Sequence, residues 1–209
     1  MEGKKIGIIG GSFNPIHNGH INLAKNILEQ YKLDKLLLIP VGSHPFRKGD
    51  MASAKDRYNM VKLCTDKVDG LEVSDIEIKR TGFSYTVDTL RELKKIYPDA
   101  TLYLIVGGDI LFEITQWKDF KEIFSLCTFV AVFRPGYNFK TFYNQIDKLQ
   151  NEYGAKIDTV TVPEIDISST ELRNMVRAKK VIGEYVPPEV EEYILKKKLY
   201  ISDNGDSVS

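Results

Sequence analysis

The chain has 209 residues, 43% of them apolar and 28% charged, with 29 lysines and arginines against 29 aspartates and glutamates. That balance excludes a disordered chain and a broad basic surface for long duplex nucleic acid, while leaving room for a local phosphate site. The length suits one domain with a core that needs no staples, and the two cysteines, Cys64 and Cys127, lie in apolar surroundings, so a reducing, cytoplasmic setting is expected.

In chain order, residues 5–9 form an apolar run ending in Gly10-Gly11, the pattern of a buried parallel strand feeding a tight turn. A helix is expected from Asn18 to about Gln30, with Ile21, Ala24 and Leu28 on one face, then a second buried strand over 36–40; together they make a βαβ unit. A loop over 41–51 precedes a helix over 54–66. The alternation of residues 71–78 predicts a strand that Asp75 interrupts. After a loop over 80–85, residues 86–97 read as a helix with Val87, Leu90, Leu93 and Ile96 on one stripe. The most apolar strand, 102–106, runs into Gly107-Gly108-Asp109, and short helical pieces over 110–113 and 120–124 flank Trp117. A strand over 128–133, a helix over 141–152, a strand over 156–162 and helices over 168–178 and 188–197 complete the pattern. These apolar runs are too short for a signal segment or a membrane span, and no membrane partner is expected. The lysines at 179–180 and 196–198 read as solvated helix ends.

Strands that alternate with helices over nearly the whole chain predict an α/β fold, a doubly wound, mostly parallel sheet with helices on both faces. In such sheets the ligand crevice lies beyond the carboxyl ends of the strands. Residues 10–20, 40–48, 107–117 and 134–136 fall in that position.

The densest signal is Gly10-Gly11-Ser12-Phe13-Asn14-Pro15-Ile16-His17-Asn18-Gly19-His20. Glycines after the first strand let a nucleotide approach the backbone closely. Two of the three histidines stand at a helix start, where free N–H groups and the dipole favour anions, an arrangement suited to polyphosphate. The alternatives are a plain strand–turn–helix junction and a zinc site, for which no convincing third ligand is evident. Neither the P-loop pattern nor the dinucleotide fingerprint is present, so phosphates would be held differently. A second anion cradle is read at Ile167-Ser168-Ser169-Thr170 with Arg173 one turn on; its plain alternative is a Ser/Thr cap beside a surface arginine.

Residues 11–20, GSFNPIHNGH, are similar to the HxGH signature of the nucleotidyltransferase superfamily. Further segments narrow the match. SDIEIKRTGFSYTVDTL at 74–90, the strand with GGD at 102–109, Trp117, FVAVFRPG at 129–136, DISSTELR at 166–173 and YVPPEVEEYILKKKLY at 185–200 resemble bacterial nicotinate-nucleotide adenylyltransferases, in order over residues 4–200. The resemblance implies one Rossmann-like nucleotidyltransferase domain over 1–200, its C-terminal helical part at about 166–200, with a polar tail at 202–209. It implies adenylyl transfer from ATP, with Mg²⁺ carried on the ATP, to nicotinate mononucleotide, giving deamido-NAD and pyrophosphate. Nucleic acid and membranes are not implied as partners, no metal-binding residue is named, and the choice between monomer and homo-oligomer stays open.

The resemblance also implies roles for residues. His17, His20 and Arg173 would be catalytic. Gly10, Gly11, Ser12, Phe13, Gly107, Asp109, Arg134, Ile167, Ser168, Ser169 and Thr170 would hold ATP. Asn14, Lys48, Ser84, Tyr85, Thr86 and Trp117 would hold the mononucleotide, Trp117 by stacking on the pyridine ring and the backbone at Tyr85-Thr86 by binding its carboxylate. Many relatives have Thr and Asp where this chain has Ser12 and Asn14. They read Pro-Pro-His and a basic residue where this chain has His44-Pro45-Phe46-Arg47-Lys48. An adenylyltransferase for nicotinamide mononucleotide or another phosphorylated acceptor, and a non-catalytic ATP sensor, are the competing readings.

Overall fold

A computed structural model describes residues 3–42, 51–133, 139–163 and 167–201. Its sheet has six strands: β1 (Lys5–Gly11), β2 (Lys35–Pro40), β3 (Leu71–Val73), β4 (Thr101–Gly107), β5 (Thr128–Phe133) and β6 (Ile157–Thr161). They lie in the order β3-β2-β1-β4-β5-β6, and every neighbouring pair is parallel. This is a Rossmann-like, doubly wound sheet. The order reverses between β1 and β4, so the chain leaves those two neighbours toward opposite faces and a crevice opens at their carboxyl ends.

The strands are apolar throughout because both faces are covered. Side chains alternate: Leu37 and Ile39 of β2 pack with Ile6 and Ile8 of β1 on one face, while Leu36 and Leu38 pack with Ile9 on the other. The first face carries α3 (Thr86–Ile96), α5 (Phe120–Leu126) and α6 (Phe139–Tyr153), through Val87, Leu90, Phe124 and Phe142. The second carries α1 (Asn18–Gln30), α2 (Ala54–Thr65), α7 (Ser169–Arg177) and α8 (Pro188–Lys196), through Ala24, Met60, Leu172 and Ile194. Each fully buried Leu or Ile contributes about 2 kcal/mol, so the two faces together fix the register of the strands. A short α4 (Ile110–Glu113) and a 3-10 turn (Ile114–Gln116) lie between β4 and Trp117.

Two boundaries differ from expectation. β1 runs through both glycines, with Gly10 opposite Ile39 and Gly11 opposite Pro40, so they end the ladder instead of forming the turn. The strand expected over 71–78 stops at Val73. The Ser74 N–H still donates to Leu38 O (3.0 Å), but the chain then curls, with the Lys79 N–H donating to Asp75 O at 2.9 Å. Ile76 is buried from that turn and not from a strand. The last helical part packs back on α1: the Asn18 N–H donates to Tyr185 O (2.8 Å) and its Nδ2 to Glu184 O (3.1 Å). Among the described residues no helix is long and apolar enough to cross a membrane.

Candidate active site

The loop after β1 is built from backbone ties. At Gly10, on the crevice side of the sheet end, a Cβ would meet nothing within 4 Å. Phe13 is buried in the left-handed region at φ 45°, a conformation that costs about 1 kcal/mol or more for a bulky residue and is held only by its surroundings. Asn14 is also buried. Its Oδ1 accepts from the Ala52 N–H and from the Tyr200 hydroxyl, both at 2.9 Å, so this side chain holds the loop to two distant parts of the chain.

His17 is the N-cap residue of α1 and His20 stands in its first turn, with ring centroids 3.7 Å apart. The His17 N–H donates to His20 Nδ1 at 3.3 Å, which leaves the proton of a neutral His20 on Nε2. His17 is 8% exposed and its Nδ1 is buried without a hydrogen-bond partner. Burial pulls its pKa from the ordinary 6.5 to about 4, so at neutral pH it is an uncharged ring with an unanswered polar atom. Phe13 packs edge-on against His20 at 5.1 Å and limits where that ring turns.

The start of α7 meets this loop. Arg173 Nη1 donates to Asn14 O (2.9 Å), Nη2 donates to Thr170 Oγ1 (3.2 Å), and Nε is buried with no partner. The hydroxyl run predicts three groups free for a ligand, and the structure gives two of them internal work. Ser168 is the N-cap: its Oγ accepts the Glu171 N–H (3.2 Å) and donates to Glu171 Oε2 (2.6 Å). Ser169 Oγ donates to Pro15 O at 2.9 Å. What remains toward the crevice is the first-turn backbone, Thr170 and the Arg173 guanidinium, with half-buried Ile167 leading in.

Arg57 escapes the sequence reading. It is 1% exposed, and its Nε donates to Ala52 O (3.1 Å), Nη1 to Ser12 O (2.9 Å) and Nη2 to Val41 O (2.6 Å). Among the described residues no carboxylate bonds to it. A guanidinium this deep costs several kcal/mol unless its donors are met, and here backbone carbonyls meet them below the ends of β1 and β2. The sequence does hold a signal for it. Arg57, Met60, Val61 and Cys64 stand at i, i+3, i+4 and i+7, so the arginine occupies the buried stripe of α2.

The second half of the crevice lies at the starts of α3 and α5. Tyr85, exposed, is the N-cap of α3, and the first-turn N–H groups of Thr86 and Val87 have no helical acceptor. The preceding loop is pinned by Arg80, which donates to Thr89 Oγ1 (3.0 Å) and Glu92 Oε2 (2.8 Å), and by Thr89, which donates to Glu77 Oε1 (2.8 Å). Burial raises the pKa of Glu77. Half-buried Ser84 lies over the end of β2, where a Cβ on Gly42 would come within 3.3 Å of its Oγ. Trp117 packs part of its ring on the core and donates its backbone N–H to Ile114 O at 3.0 Å. Its neighbour Lys118 reaches Asp88 Oδ2 (3.1 Å) and lies 4.7 Å over the Tyr85 ring. Asp109 is exposed just past Gly107 and its carboxylate makes no cap to α4. Lys48 and Arg134, and the whole 44–48 loop, lie outside the described residues. Among the described residues no three histidine, cysteine or carboxylate groups gather as a metal site.

Two imidazoles, a guanidinium and a helix start meet at the switch point of a reversed-order parallel sheet, an arrangement suited to the phosphates of a nucleotide. Residues 8–175 match the model of the cytidylyltransferase-like family. A protein of Thermoanaerobacter sp. (strain X514), named "probable nicotinate-nucleotide adenylyltransferase", is 41% identical over 206 residues, covering 98% of each chain. One of the same name from Carboxydothermus hydrogenoformans is 42% identical and covers 96% of this chain and all of its own. The chain belongs to the nicotinate-nucleotide adenylyltransferase family. The fold is shared with a solved nicotinic acid mononucleotide adenylyltransferase of Plasmodium falciparum in complex with NaAD, at TM-score 0.77 and 21% identity, covering 94% of this chain and 97% of that one.

Proposed function

We propose that this chain transfers the adenylyl group of ATP to nicotinate mononucleotide, forming nicotinate adenine dinucleotide and pyrophosphate. The observation that carries the reading is the meeting of His17, His20 and Arg173 at the carboxyl end of β1, two of them with buried nitrogens that make no hydrogen bond among the described residues. Family membership and near full-length coverage support the same chemistry.

The acceptor phosphate is already anionic. One of its oxygens attacks the α-phosphorus of ATP, a new P–O bond forms, and the bond to the β-phosphate oxygen breaks, with its electrons leaving on pyrophosphate. No general base is required, so the protein positions the two substrates and answers the charge that grows on the leaving oxygens. His20 donates from Nε2. His17, neutral in the free protein, gains a reason to protonate when a polyphosphate lies beside it. Arg173 Nε and Thr170 steady the leaving phosphates, and Arg57 adds a fixed positive field from below. Mg²⁺ enters with ATP as part of the substrate.

On the acceptor side, the Trp117 ring offers a stacking face for the pyridine. The first-turn N–H groups of α3 suit a carboxylate better than a neutral amide. Asp109, an exposed carboxylate at the end of β4, suits the ribose hydroxyls of the ATP side. Incubation with ATP, Mg²⁺ and nicotinate mononucleotide, followed by mass measurement of the products, tests this. The dinucleotide is expected, and ATP hydrolysed to AMP with no dinucleotide would contradict it.

A further inference from the structure

We propose that Arg91 is a positioning residue for the acceptor pocket: its guanidinium fastens the turn that carries Trp117 to α3, and so sets how far the indole ring stands from the start of that helix. The consequence for the ligand rests on the reading above; the fastening itself does not.

Arg91 is on α3, five residues after Thr86. Its three nitrogens are spread over three carboxylates. Nη1 donates to Asp88 Oδ1 on its own helix (2.9 Å), Nη2 to Asp119 Oδ2 (3.1 Å), and Nε to Glu122 Oε1 (2.8 Å), with Nη2 also on Glu122 Oε2. Asp119 is two residues after Trp117, sits in the left-handed region at φ 51°, and its carbonyl begins α5 by accepting the Glu122 N–H at 2.9 Å. Trp117 is therefore held from both sides. Its own N–H bonds to Ile114 O, and the residue two positions on is clamped to α3. Lys118 makes a second strut, from the same turn to Asp88 and over the Tyr85 ring.

The charge count gives the arrangement its direction. Asp88, Asp119 and Glu122 converge on one guanidinium, with Lys118 at the margin. Without Arg91 the three carboxylates face each other with one cation among them. The contact between α3 and the Trp117 turn then changes from attraction to repulsion. The fork geometry matters as well, because the two-nitrogen contact with Glu122 has no equivalent in a lysine. The side chains of the cluster are 28–46% exposed, so solvent screens them and their effect on global stability is small. Local placement of the indole is what they control.

The test uses Arg91→Ala, Arg91→Lys and Glu122→Gln in the full chain. Trp117 is the only tryptophan, so acrylamide quenching of fluorescence excited at the red edge of the indole band, where the tyrosines do not absorb, reports on that ring alone and needs no substrate. For Arg91→Ala the expectation is a melting temperature within about 4 °C of the parent. Quenching should rise roughly twofold, and KM for nicotinate mononucleotide should rise about tenfold, a misplacement effect, with KM for ATP and kcat within about twofold. Arg91→Lys and Glu122→Gln should fall between. Unchanged quenching in Arg91→Ala overturns the clamp whether or not the chain turns over the mononucleotide. Raised quenching with an equal rise in both KM values overturns the specific effect on the acceptor side. Raised quenching in a protein that makes no dinucleotide upholds the clamp and removes only the reading of what the pocket binds.

Discussion

Arg173 donates to the carbonyl of Asn14 across 159 positions of sequence, at 2.9 Å, and this bond joins the start of α7 to the loop that follows β1. It leaves Nε of the same guanidinium buried and unanswered. One arginine therefore shapes the floor of the crevice and keeps a donor for what fills it.

Replacing Arg173 by alanine should cost about 10²- to 10³-fold in kcat, the size seen when one donor to developing charge is removed. Lysine keeps the charge but loses the fork, and should recover only part of the loss. Steady-state kinetics with ATP varied at saturating acceptor checks both. A lysine variant equal to the parent would contradict a role for the Nε donor.

His17 makes the free protein acid-sensitive in a stated direction. Its folded-state pKa, about 4, lies below the ordinary 6.5. The unfolded chain therefore takes up the proton first as pH falls. Stability from this group is complete above about pH 6.5 and declines toward pH 4, by about 3 kcal/mol in total. Urea unfolding from pH 7 to 4 should show that slope in the parent and a shallower one in His17→Asn. Bound ATP should reverse the bias, because an adjacent anion favours the imidazolium. Calorimetry at pH 5.5 in buffers of different ionisation enthalpy should then report proton uptake on ATP binding, and proton release would contradict the placement of His17 beside phosphate.

Gly10 separates folding from binding. A side chain there meets open space, so Gly10→Val should leave the melting temperature unchanged within about 3 °C, the span of a small surface effect. The same methyl groups would stand where the nucleotide approaches the sheet end, and KM for ATP should rise by about tenfold or more, equivalent to ~1.4 kcal/mol or more of lost binding. Normal ATP binding in this variant would move the nucleotide elsewhere in the crevice.

Arg57→Met tests the buried cation. The thioether fills much of the volume but leaves the carbonyls of Ser12, Val41 and Ala52 without their donor, so a loss of about 3 kcal/mol is expected. Urea denaturation gives that figure. Isothermal titration of the folded variant should also show weaker ATP binding, since the positive field below β1 is gone. Full stability would mean that water replaces the guanidinium without cost.

Much of this was legible in the chain itself, for a physical reason. β1, β2, β4 and β5 lie inside a parallel sheet covered on both faces, so each is a continuous apolar run that the eye and the physics read alike. β3 was not legible at its far end. It is an edge strand paired only to β2, and Ile76 supplies the same alternation while buried from a turn. The histidines stood out by density, and the structure brings them against one another. The hydroxyls of Ser168 and Ser169 read as ligand groups in the sequence, but one bonds to a capping glutamate three residues on and the other to the carbonyl of Pro15, 154 positions away. The contacts of Arg57 and Tyr200 are not legible because their partners lie in other segments: the loops after β1 and β2 for the arginine, and Asn14, 186 positions away, for the tyrosine. The buried stripe of α2 marks Arg57 as an inward residue, but no local window names the partners of either side chain.

Under the proposed function this crevice joins ATP to an acidic mononucleotide. The most direct measurement is the rate of pyrophosphate release from MgATP with nicotinate or nicotinamide mononucleotide as acceptor, in the parent chain and in His20→Ala. Release should depend on the acceptor, with a kcat/KM for the acid at least about tenfold above that for the amide, or ~1.4 kcal/mol, and should fall by about 10²-fold or more in His20→Ala. Equal values for the two acceptors, or a His20→Ala variant as fast as the parent, would contradict it.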